Sequence, residues 1–334
     1  MKKDGIIKLL TNRTVLLLLL LAASLIVINF LAPGFVSVTN LLGVTQFGAV
    51  ILLLGIGQSI VMVSGGGGID LSIGTIASLS GILFGILCVQ TGMNPLFAAM
   101  LVIAFGMLLG FFNGFLVSVL NLPAFIATLS TSYMYSSLSL YITGGVPISG
   151  FEKSFAWLGQ KTTFLIPNQV LFVAAPILII TLYAVNHTKY GRHIYLTGSN
   201  ANAAIFAGID VKKIRCINYI LDGFLASVAS IVMCSWLMTA RADAGSGYDL
   251  QTIAVAVLGG IDINGGAGKL SGVIIAVLIT TIISTGIQYA NLNGIWQLAV
   301  LGIILILSVS MNQVLIYHSK KVSKQKQKEI INNI

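Results

Sequence analysis

Charged residues are scarce in this sequence. They make up 8% of its 334 residues, whereas about 25% is usual in a soluble domain. Between Arg13 and Glu152 the only charged residue is Asp70. Hydrophobic residues supply 57% of the chain, and the mean hydropathy is +0.99. This composition excludes an ordinary soluble domain and indicates an integral membrane protein.

Motifs for catalysis and for metal or nucleotide binding are also missing. The three cysteines form no Cys-x-x-Cys pair, so they indicate neither a disulfide framework nor a metal site. No His-x-x-His pair, His/carboxylate cluster or Ser/His/Asp arrangement appears. The segment ending in Gly268-Lys269 has Ile263 where a phosphate-binding loop needs glycine, and Leu270 where it needs Ser or Thr. The sequence therefore predicts no catalytic residue, no metal ligand and no nucleotide-binding loop.

What is abundant is apolar sequence in runs that approach or exceed the length of a membrane span. Ten such runs fall roughly at 14–32, 41–63, 69–90, 95–119, 123–143, 168–186, 216–239, 249–262, 270–290 and 295–316. The first is longer than a signal-peptide core and lacks a cleavage site, so we expect a retained span. The eighth is short and is predicted to be broken or tilted. The expected fold is an all-α polytopic membrane protein with about ten helices, in a transmembrane domain covering residues 1–318.

The basic residues predict the orientation. With the N-terminus in the cytoplasm, 15 of the 18 Lys and Arg residues fall inside, and three, Lys153, Lys161 and Arg241, fall outside. The positive-inside rule predicts this bias, and an even number of spans puts the 187–215 loop and a basic tail at 319–334 in the cytoplasm. The net charge of +9 is then explained by orientation and anionic lipid, with no need for nucleic acid. Phe155 and Trp157, in the outer segment 144–167, are predicted interfacial anchors.

The segment Ser64–Gly74 combines four consecutive glycines with Asp70. A carboxylate at membrane depth costs roughly 2.5–3.5 kcal/mol on insertion scales, and irregular backbone is tolerated there only inside protein or along a cavity. The segment therefore predicts a polar path. Asp70 either lines that path or accepts hydrogen bonds from unwound backbone amides around Gly65–Gly68. Asp222, in the seventh span, is expected to pair with a Lys or Arg near the inner interface, with a place along the path as the alternative.

The cytoplasmic loop contains a short predicted helix over Ala201–Ala207, with Asn200 as its N-cap and Gly208 just beyond its end. Its small side chains would let another protein approach closely. A helix lying on the bilayer surface fits the composition equally well, so the residues alone leave both alternatives open.

Several segments spread along the chain resemble one family. The first comprises Gly67, Gly68, Asp70, Ser72 and Gly74. The second, in the cytoplasmic loop, comprises Gly198, Asn200, Ala203, Ala204, Gly208 and Ile209. The third, a C-terminal signature, comprises Gly259, Gly260, Gly265 and Gly266, and Pro123–Leu129 adds a weaker match. Together they resemble the permease subunit of ATP-binding-cassette importers of the ribose type, which carry monosaccharides or autoinducer-2. Two extra glycines before Ile69, and the charged residues Asp222, Asp262 and Lys269, depart from the family pattern and leave the substrate open.

The resemblance implies a non-enzymatic channel half in the bacterial inner membrane. It implies a second permease chain, identical or not, an ATPase subunit that binds the ATP, and an extracytoplasmic solute-binding protein. The helix at 198–209 would be the coupling helix that sits in the ATPase cleft. Two alternatives remain: a secondary transporter driven by H⁺ or Na⁺, with Asp70, Asp222 and Asp262 as ion sites, and a related permease for branched-chain amino acids.

Overall fold

The computed structural model describes residues 13–293 together with 296, 299, 300, 302, 303 and 306. The helices are α1 Arg13–Leu31, α2 Val38–Val63, α3 Ile73–Gly85, α4 Pro95–Ser118, α5 Ala124–Thr143, α6 Ala156–Gln160, α7 Ala175–His187, α8 Lys189–Ser199, α9 Ala201–Phe206, α10 Val211–Leu237, α11 Tyr248–Gly259 and α12 Leu270–Tyr289. π-helical turns at Ile86–Gln90 and Val170–Ala174 extend α3 and precede α7. The strands are β1 Ile148–Ser149, β2 Thr162–Thr163, β3 Ile166–Pro167 and β4 Thr239–Ala240, paired antiparallel as β1–β4 and β2–β3.

Within the described residues, seven helices are long and apolar enough to cross a membrane. They are Arg13–Leu31, Val38–Val63, Ile73–Gln90, Pro95–Ser118, Val170–His187, Val211–Leu237 and Leu270–Tyr289. Helix α5 has 20 residues but is richer in Ser, Thr and Tyr, and α11 has 12, matching the short eighth run. Most of the expected span at 295–316 lies outside the described residues, and the tail 319–334 lies wholly outside them. The fold is all-α and polytopic.

Local signals set the helix boundaries. The Ser37 hydroxyl accepts a hydrogen bond from the Asn40 N–H at the start of α2, and the Asp210 carboxylate accepts from the Lys213 N–H at the start of α10. Each satisfies a backbone donor that the first turn of a helix leaves unpaired. At the other end of α5, Gly144 takes a left-handed conformation, with φ +60°, which glycine adopts at little cost.

The core lies around α2 and α10. The membrane window of α2 is 83% buried and that of α10 is 67% buried, against 17% for α1 and 11% for Val170–His187. Helix α10 packs against α4, α2 and α3, while α12 packs against α2, α11 and α1. Gly110 of α4 lies so close to α10 that a Cβ there would overlap the Tyr219 carbonyl, the small-residue contact that membrane helices use. The central helices therefore carry the buried polar groups, and the outer helices present apolar side chains.

The two predicted anchors in segment 144–167, Phe155 and Trp157, differ in their exposure. Phe155 packs against Phe84 and Phe151, with ring centroids 5.2 and 5.3 Å away. Phe155 is half-buried against this aromatic cluster, and its interfacial role stays a prediction. Trp157 is 50% exposed and lies against Phe172, with centroids 5.2 Å apart. Its anchoring role stays a prediction.

Candidate translocation and coupling site

The polypeptide leaves the helical conformation where α2 ends at Val63. Gly65, Gly66 and Gly67 all take left-handed conformations, with φ of +71 to +72°, which glycine adopts without a steric penalty. The chain then returns to the interior, where Asp70 and Ser72 are fully buried just before α3 begins. The predicted break in the helix at the four glycines is confirmed, and it carries Asp70 between the central helices.

Asp70 is held by donors from its own turn and from α4. Its carboxylate accepts hydrogen bonds from the Ser72 N–H at 2.7 Å, from the Ser72 hydroxyl at 2.6 Å and from the Asn113 amide at 3.4 Å. Asn113 also donates to the Ser72 hydroxyl at 2.6 Å. The alternative in which Asp70 accepts from the amides around Gly65–Gly68 therefore named the wrong donors. These donors instead fix the carboxylate at the positive N-terminal end of α3, where a negative charge is favoured.

Two further side chains hold the backbone of this segment. In the orientation that satisfies its hydrogen bonds, the Gln58 amide donates to the Asp70 carbonyl at 2.9 Å and accepts from the Asp70 N–H at 3.2 Å. The Thr128 hydroxyl accepts from the Leu71 N–H at 3.1 Å and donates to the Ile69 carbonyl at 3.2 Å. Thr128 belongs to the weaker matching segment Pro123–Leu129, so two of the predicted segments meet here.

Sequence reasoning missed Gln58 and Asn113. Each is the one carboxamide in the buried half of an otherwise apolar helix, Gln58 in α2 and Asn113 in α4. Such a group needs an internal partner, because lipid offers none. Their presence in these runs was a usable signal, although nothing in the sequence identified Asp70 and Ser72 as the partners.

Asp222 lies beside Asp70 in the interior of the chain. Its side chain is fully buried, and the two carboxyl groups are close enough to interact. A Cβ at Gly57 of α2 would overlap the Asp222 carboxyl group. In the described part of the chain no donor hydrogen-bonds to either Asp222 oxygen. The prediction that Asp222 pairs with a Lys or Arg is therefore wrong, and Arg215 reaches toward the Ser64 carbonyl at 3.4 Å instead.

The coupling segment has the predicted form. The Asn200 side chain accepts a hydrogen bond from the Ala203 N–H at 3.0 Å and caps α9, and Gly208 follows the helix with φ +78°. Ala204 and Ile209 are buried, with 3% and 8% of their surface exposed, and they fasten α9 to the start of α10. Phe206, by contrast, is 93% exposed. The outward face of α9 is therefore apolar at Phe206, whereas Ala204 faces the permease itself.

Three backbone segments meet next to α9 in what we call the glycine junction, formed by Gly65, Gly198, Gly265 and Gly266. The Gly266 N–H donates to the carbonyl of Val63 at 2.8 Å. A Cβ on Gly198 would overlap both Val63 and Gly266, and a Cβ on Gly265 would overlap Gly65. The end of α2, the end of α8 and the 260–269 loop thus touch without intervening side chains.

Polar side chains surround the glycine junction. The Tyr195 hydroxyl of α8 donates to the Gly268 carbonyl at 2.8 Å, and the Tyr190 hydroxyl lies 2.5 Å from the Asn218 side-chain oxygen. Burial raises the pKa of both tyrosines, so each phenol stays protonated as a donor. Helix α8 is therefore joined to the 260–269 loop and to α10 as well as to the end of α2.

The remaining signature glycines serve other contacts. Gly259 packs against the backbone of α12 at Val273, and Gly260 turns the chain at the end of α11 with φ +105°. A Cβ at Gly74 would overlap the Gly245 carbonyl, and one at Gly68 would overlap the Val61 carbonyl, whereas Gly67 has open space. The predicted signature positions thus fall into two groups, one around Asp70 and one at the glycine junction and the α11–α12 turn.

Comparisons with known proteins identify the relatives of this sequence. Residues 40–309 match the model of a family described as branched-chain amino acid transport system / permease component. The ribose import permease protein RbsC of Escherichia coli (strain K12) is 32% identical over 305 residues, which cover 90% of this chain and 93% of that protein. The D-allose transport system permease protein AlsC of the same strain is 31% identical, covering 88% and 90%. The autoinducer 2 import system permease protein LsrC of Escherichia coli (strain SMS-3-5) is 29% identical, covering 88% and 85%.

No solved structure matches the chain. The family match spans most of the sequence, from the second membrane helix into the predicted tenth, and the relatives cover nearly all of it. The resemblance to the ribose-type permeases, inferred from separate short segments, is confirmed by these full-length similarities. The chain belongs to this family of membrane permease components.

Proposed function

We propose that this chain is the membrane-spanning subunit of a bacterial inner-membrane ABC importer for a small sugar or sugar-like solute. As a permease component it is a transport subunit and not an enzyme. The observation that carries the substrate class is full-length similarity to permeases named for ribose, D-allose and autoinducer 2. The family description supports the branched-chain amino acid alternative, but none of these named relatives does.

The proposed topology has ten spans with both termini in the cytoplasm. The seven long apolar helices support it, together with α5, the short α11 and the predicted run at 295–316. The excess of Lys and Arg in the predicted inner segments supports the orientation. In this arrangement the 187–215 segment meets an ATPase subunit from below, and a solute-binding protein and a second permease chain complete the importer.

The proposed path passes the buried polar cluster of Asp70, Ser72 and Asn113. All three side chains are fully buried in the chain, and Ser72 and Asn113 donate hydrogen bonds to the Asp70 carboxylate. These contacts favour a positioning role for Asp70, in which it fixes the start of α3 beside the path. Gly68 and Gly74 allow the close backbone packing that this position requires, and Gly67 takes the left-handed conformation of the turn.

The glycine junction is the proposed route of coupling. An ATPase that moves α9 through Phe206 and Ala203 would also move α8, since the two helices join at Asn200. Helix α8 touches the end of α2 and the 260–269 loop through backbone atoms. Main-chain contacts without flexible side chains transmit small displacements, because packed interiors are stiff. Motion at α9 thereby reaches the Asp70 segment, which begins where α2 ends. In this proposal, movement of the Asp70 segment drives the alternating access of the path.

One observation favours a second candidate, an ion-driven secondary transporter. Asp222 and Asp70 place two carboxyl groups side by side, and none of the described contacts of Asp222 is with a cation. Paired intramembrane carboxyl groups are common in proton relays. Under this alternative the pair would carry the driving ion, and no ATPase would be needed.

Reconstitution distinguishes the two candidates. The chain is purified in mild detergent with its co-eluting partners and placed in proteoliposomes with the external binding protein. We expect an ATPase to co-elute, and uptake of radiolabelled ribose, D-allose or autoinducer 2 to require internal ATP and to survive a protonophore. If the chain alone takes up solute and a protonophore abolishes this uptake, the chain is a secondary transporter and not an importer subunit.

A further inference from the structure

A short hairpin on the outer side breaks the usual rules for turn residues. Strands β2 and β3 pair Thr162 with Pro167 and Thr163 with Ile166, which leaves a two-residue turn at Phe164-Leu165. Both turn residues are left-handed, with φ of 52° and 67°. Such turns favour Asn-Gly, because bulky side chains are strained there. Phe164 is nonetheless 90% exposed and Leu165 71% exposed, so the turn carries two large apolar side chains outward.

The base of this outer hairpin, residues 162–167, is firmly held. The Asn168 side chain accepts a hydrogen bond from the Thr163 hydroxyl at 2.7 Å and donates to the Trp157 carbonyl at 2.8 Å. The next residue, Gln169, donates to the Gln46 carbonyl of α2. Strained backbone persists where its surroundings determine it, and it concentrates at functional positions. The anchored base supplies that support, which makes the apolar tip a feature to explain.

The surroundings of the hairpin are those of a membrane surface. The span Val170–His187 begins three residues after β3. Only 11% of it is buried in the chain. Its 18 residues rise about 27 Å, close to the hydrocarbon thickness of about 30 Å, so Val170 lies near the outer boundary. Half-exposed Trp157 and Phe172 pack against each other with their rings tilted by 33°, and aromatic residues of this kind are enriched at membrane interfaces. Residues 162–169 contain no charge.

We propose that the outer hairpin inserts Phe164 and Leu165 into the headgroup and acyl boundary of the outer leaflet, beside the Trp157–Phe172 pair. The occupant is lipid because the apolar tip continues the exposed apolar surface of Val170–His187. The inserted tip would hold the outer end of this span at a fixed depth. The proposal rests on the proposed orientation of the chain, and it stands independently of the transported solute and the energy source.

Spin-label accessibility tests the depth of the tip. Phe164→Cys is labelled with a nitroxide in a background where Cys88, Cys216 and Cys234 are alanine, and the protein is placed in phosphatidylglycerol/phosphatidylethanolamine nanodiscs. Ser154→Cys, on an exposed polar turn of the same outer segment, is the matched control. We expect the ratio of collisions with oxygen to collisions with an aqueous nickel chelate to be at least threefold higher at 164 than at 154. Equal ratios would overturn the proposal. So would a water-exposed label at 164 that only the solute-binding protein protects, because the tip would then be a protein-docking surface.

A double substitution gives a second measurement that does not depend on labelling. Phe164→Asn with Leu165→Gly installs the preferred turn sequence and removes both apolar side chains. In detergent the melting temperature should stay equal or rise, because the strain is relieved. In nanodiscs the variant should lose part of the stabilisation that the bilayer gives the unmodified chain. An identical change in melting temperature in both environments would mean that the tip does not contact lipid.

Discussion

The sequence Gly-Gly-Ile-Asp occurs at 67–70 and again at 259–262, yet the two copies fold in opposite ways. In the first, Asp70 is fully buried and Ile69 is half-buried. In the second, Ile261 is fully buried, while the half-buried Asp262 caps its own loop by accepting from the Asn264 N–H at 2.9 Å. The first copy leads into the start of a helix, and the second spans the end of one. Their different positions relative to a helix thus decide which side chain enters the core.

Replacing each aspartate with alanine should produce the widest gap between the two copies. Asp70→Ala leaves the Ser72 N–H, the Ser72 hydroxyl and the Asn113 amide without their shared acceptor inside the protein. Hydrogen bonds to charged groups contribute about 1.5–3 kcal/mol each, so we expect a loss of at least about 3 kcal/mol and little assembled transporter. Asp262→Ala should change stability by less than about 1 kcal/mol. Thermal unfolding in detergent measures both, and equal losses would show that burial does not distinguish the copies.

Asp70→Asn separates positioning from a direct role in the path. The asparagine oxygen can still accept from Ser72, and its amide can donate to Asp222, so we expect an assembled and stable transporter. If Asp70 acts by positioning, uptake per assembled transporter should fall less than about threefold. A loss of tenfold or more, about 1.4 kcal/mol, in a complex of normal stability would instead place the charge itself in the path.

The glycine junction joins the chain segments that contain the two copies. Gly198→Ala tests whether the junction couples these segments. The added methyl group must displace the Val63 carbonyl and the Gly266 backbone, and overpacking of this kind costs about 1–3 kcal/mol. We expect ATP hydrolysis by the assembled complex to persist while uptake per ATP falls by about tenfold. Gly43→Ala in α2 is the matched control, because a Cβ there meets nothing within 4 Å, and it should leave both rates unchanged. Parallel loss of ATPase activity and uptake would indicate a purely structural contact.

Asp222→Asn should raise the stability of the protein, whereas Asp70→Ala should lower it. The substitution removes a carboxyl group that has no donor among the described residues and supplies an amide that can donate to Asp70. We expect the free energy of unfolding to rise by about 1 kcal/mol, with ATP-driven uptake retained. Loss of uptake in a stabilised protein would contradict the importer and favour an ion-driven transporter that uses the Asp70–Asp222 pair.

Local patterns in the sequence were enough to predict the elements but not their partners. The glycine break before Asp70, the capped helix after Asn200 and the short eighth run follow from backbone propensity and apolar length, which depend on neighbouring residues. The Asp70–Asn113 contact, the position of Asp222 and the meeting of Gly65 with Gly198 depend on which helices pack together. Apolar helices of similar composition do not specify their neighbours, so the wrong partner was predicted for Asp222.

Asp243 extends the comparison to an aspartate that does have a cation beside it, and it should show the smallest effect. The Arg241 guanidinium, 2.8 Å away, lowers the pKa of the Asp243 carboxyl group through a hydrogen bond. Its stabilising contribution is therefore present above the unfolded-state pKa and is lost as the pH falls through the lowered folded-state value. Both side chains are exposed, by 48% and 62%, so salt screens the pair strongly. We expect Asp243→Asn to lower the melting temperature slightly at neutral pH and low salt, and not at all near pH 2 or in 1 M salt. A decrease as large as that of Asp70→Ala would mean that burial does not govern the contribution of these aspartates.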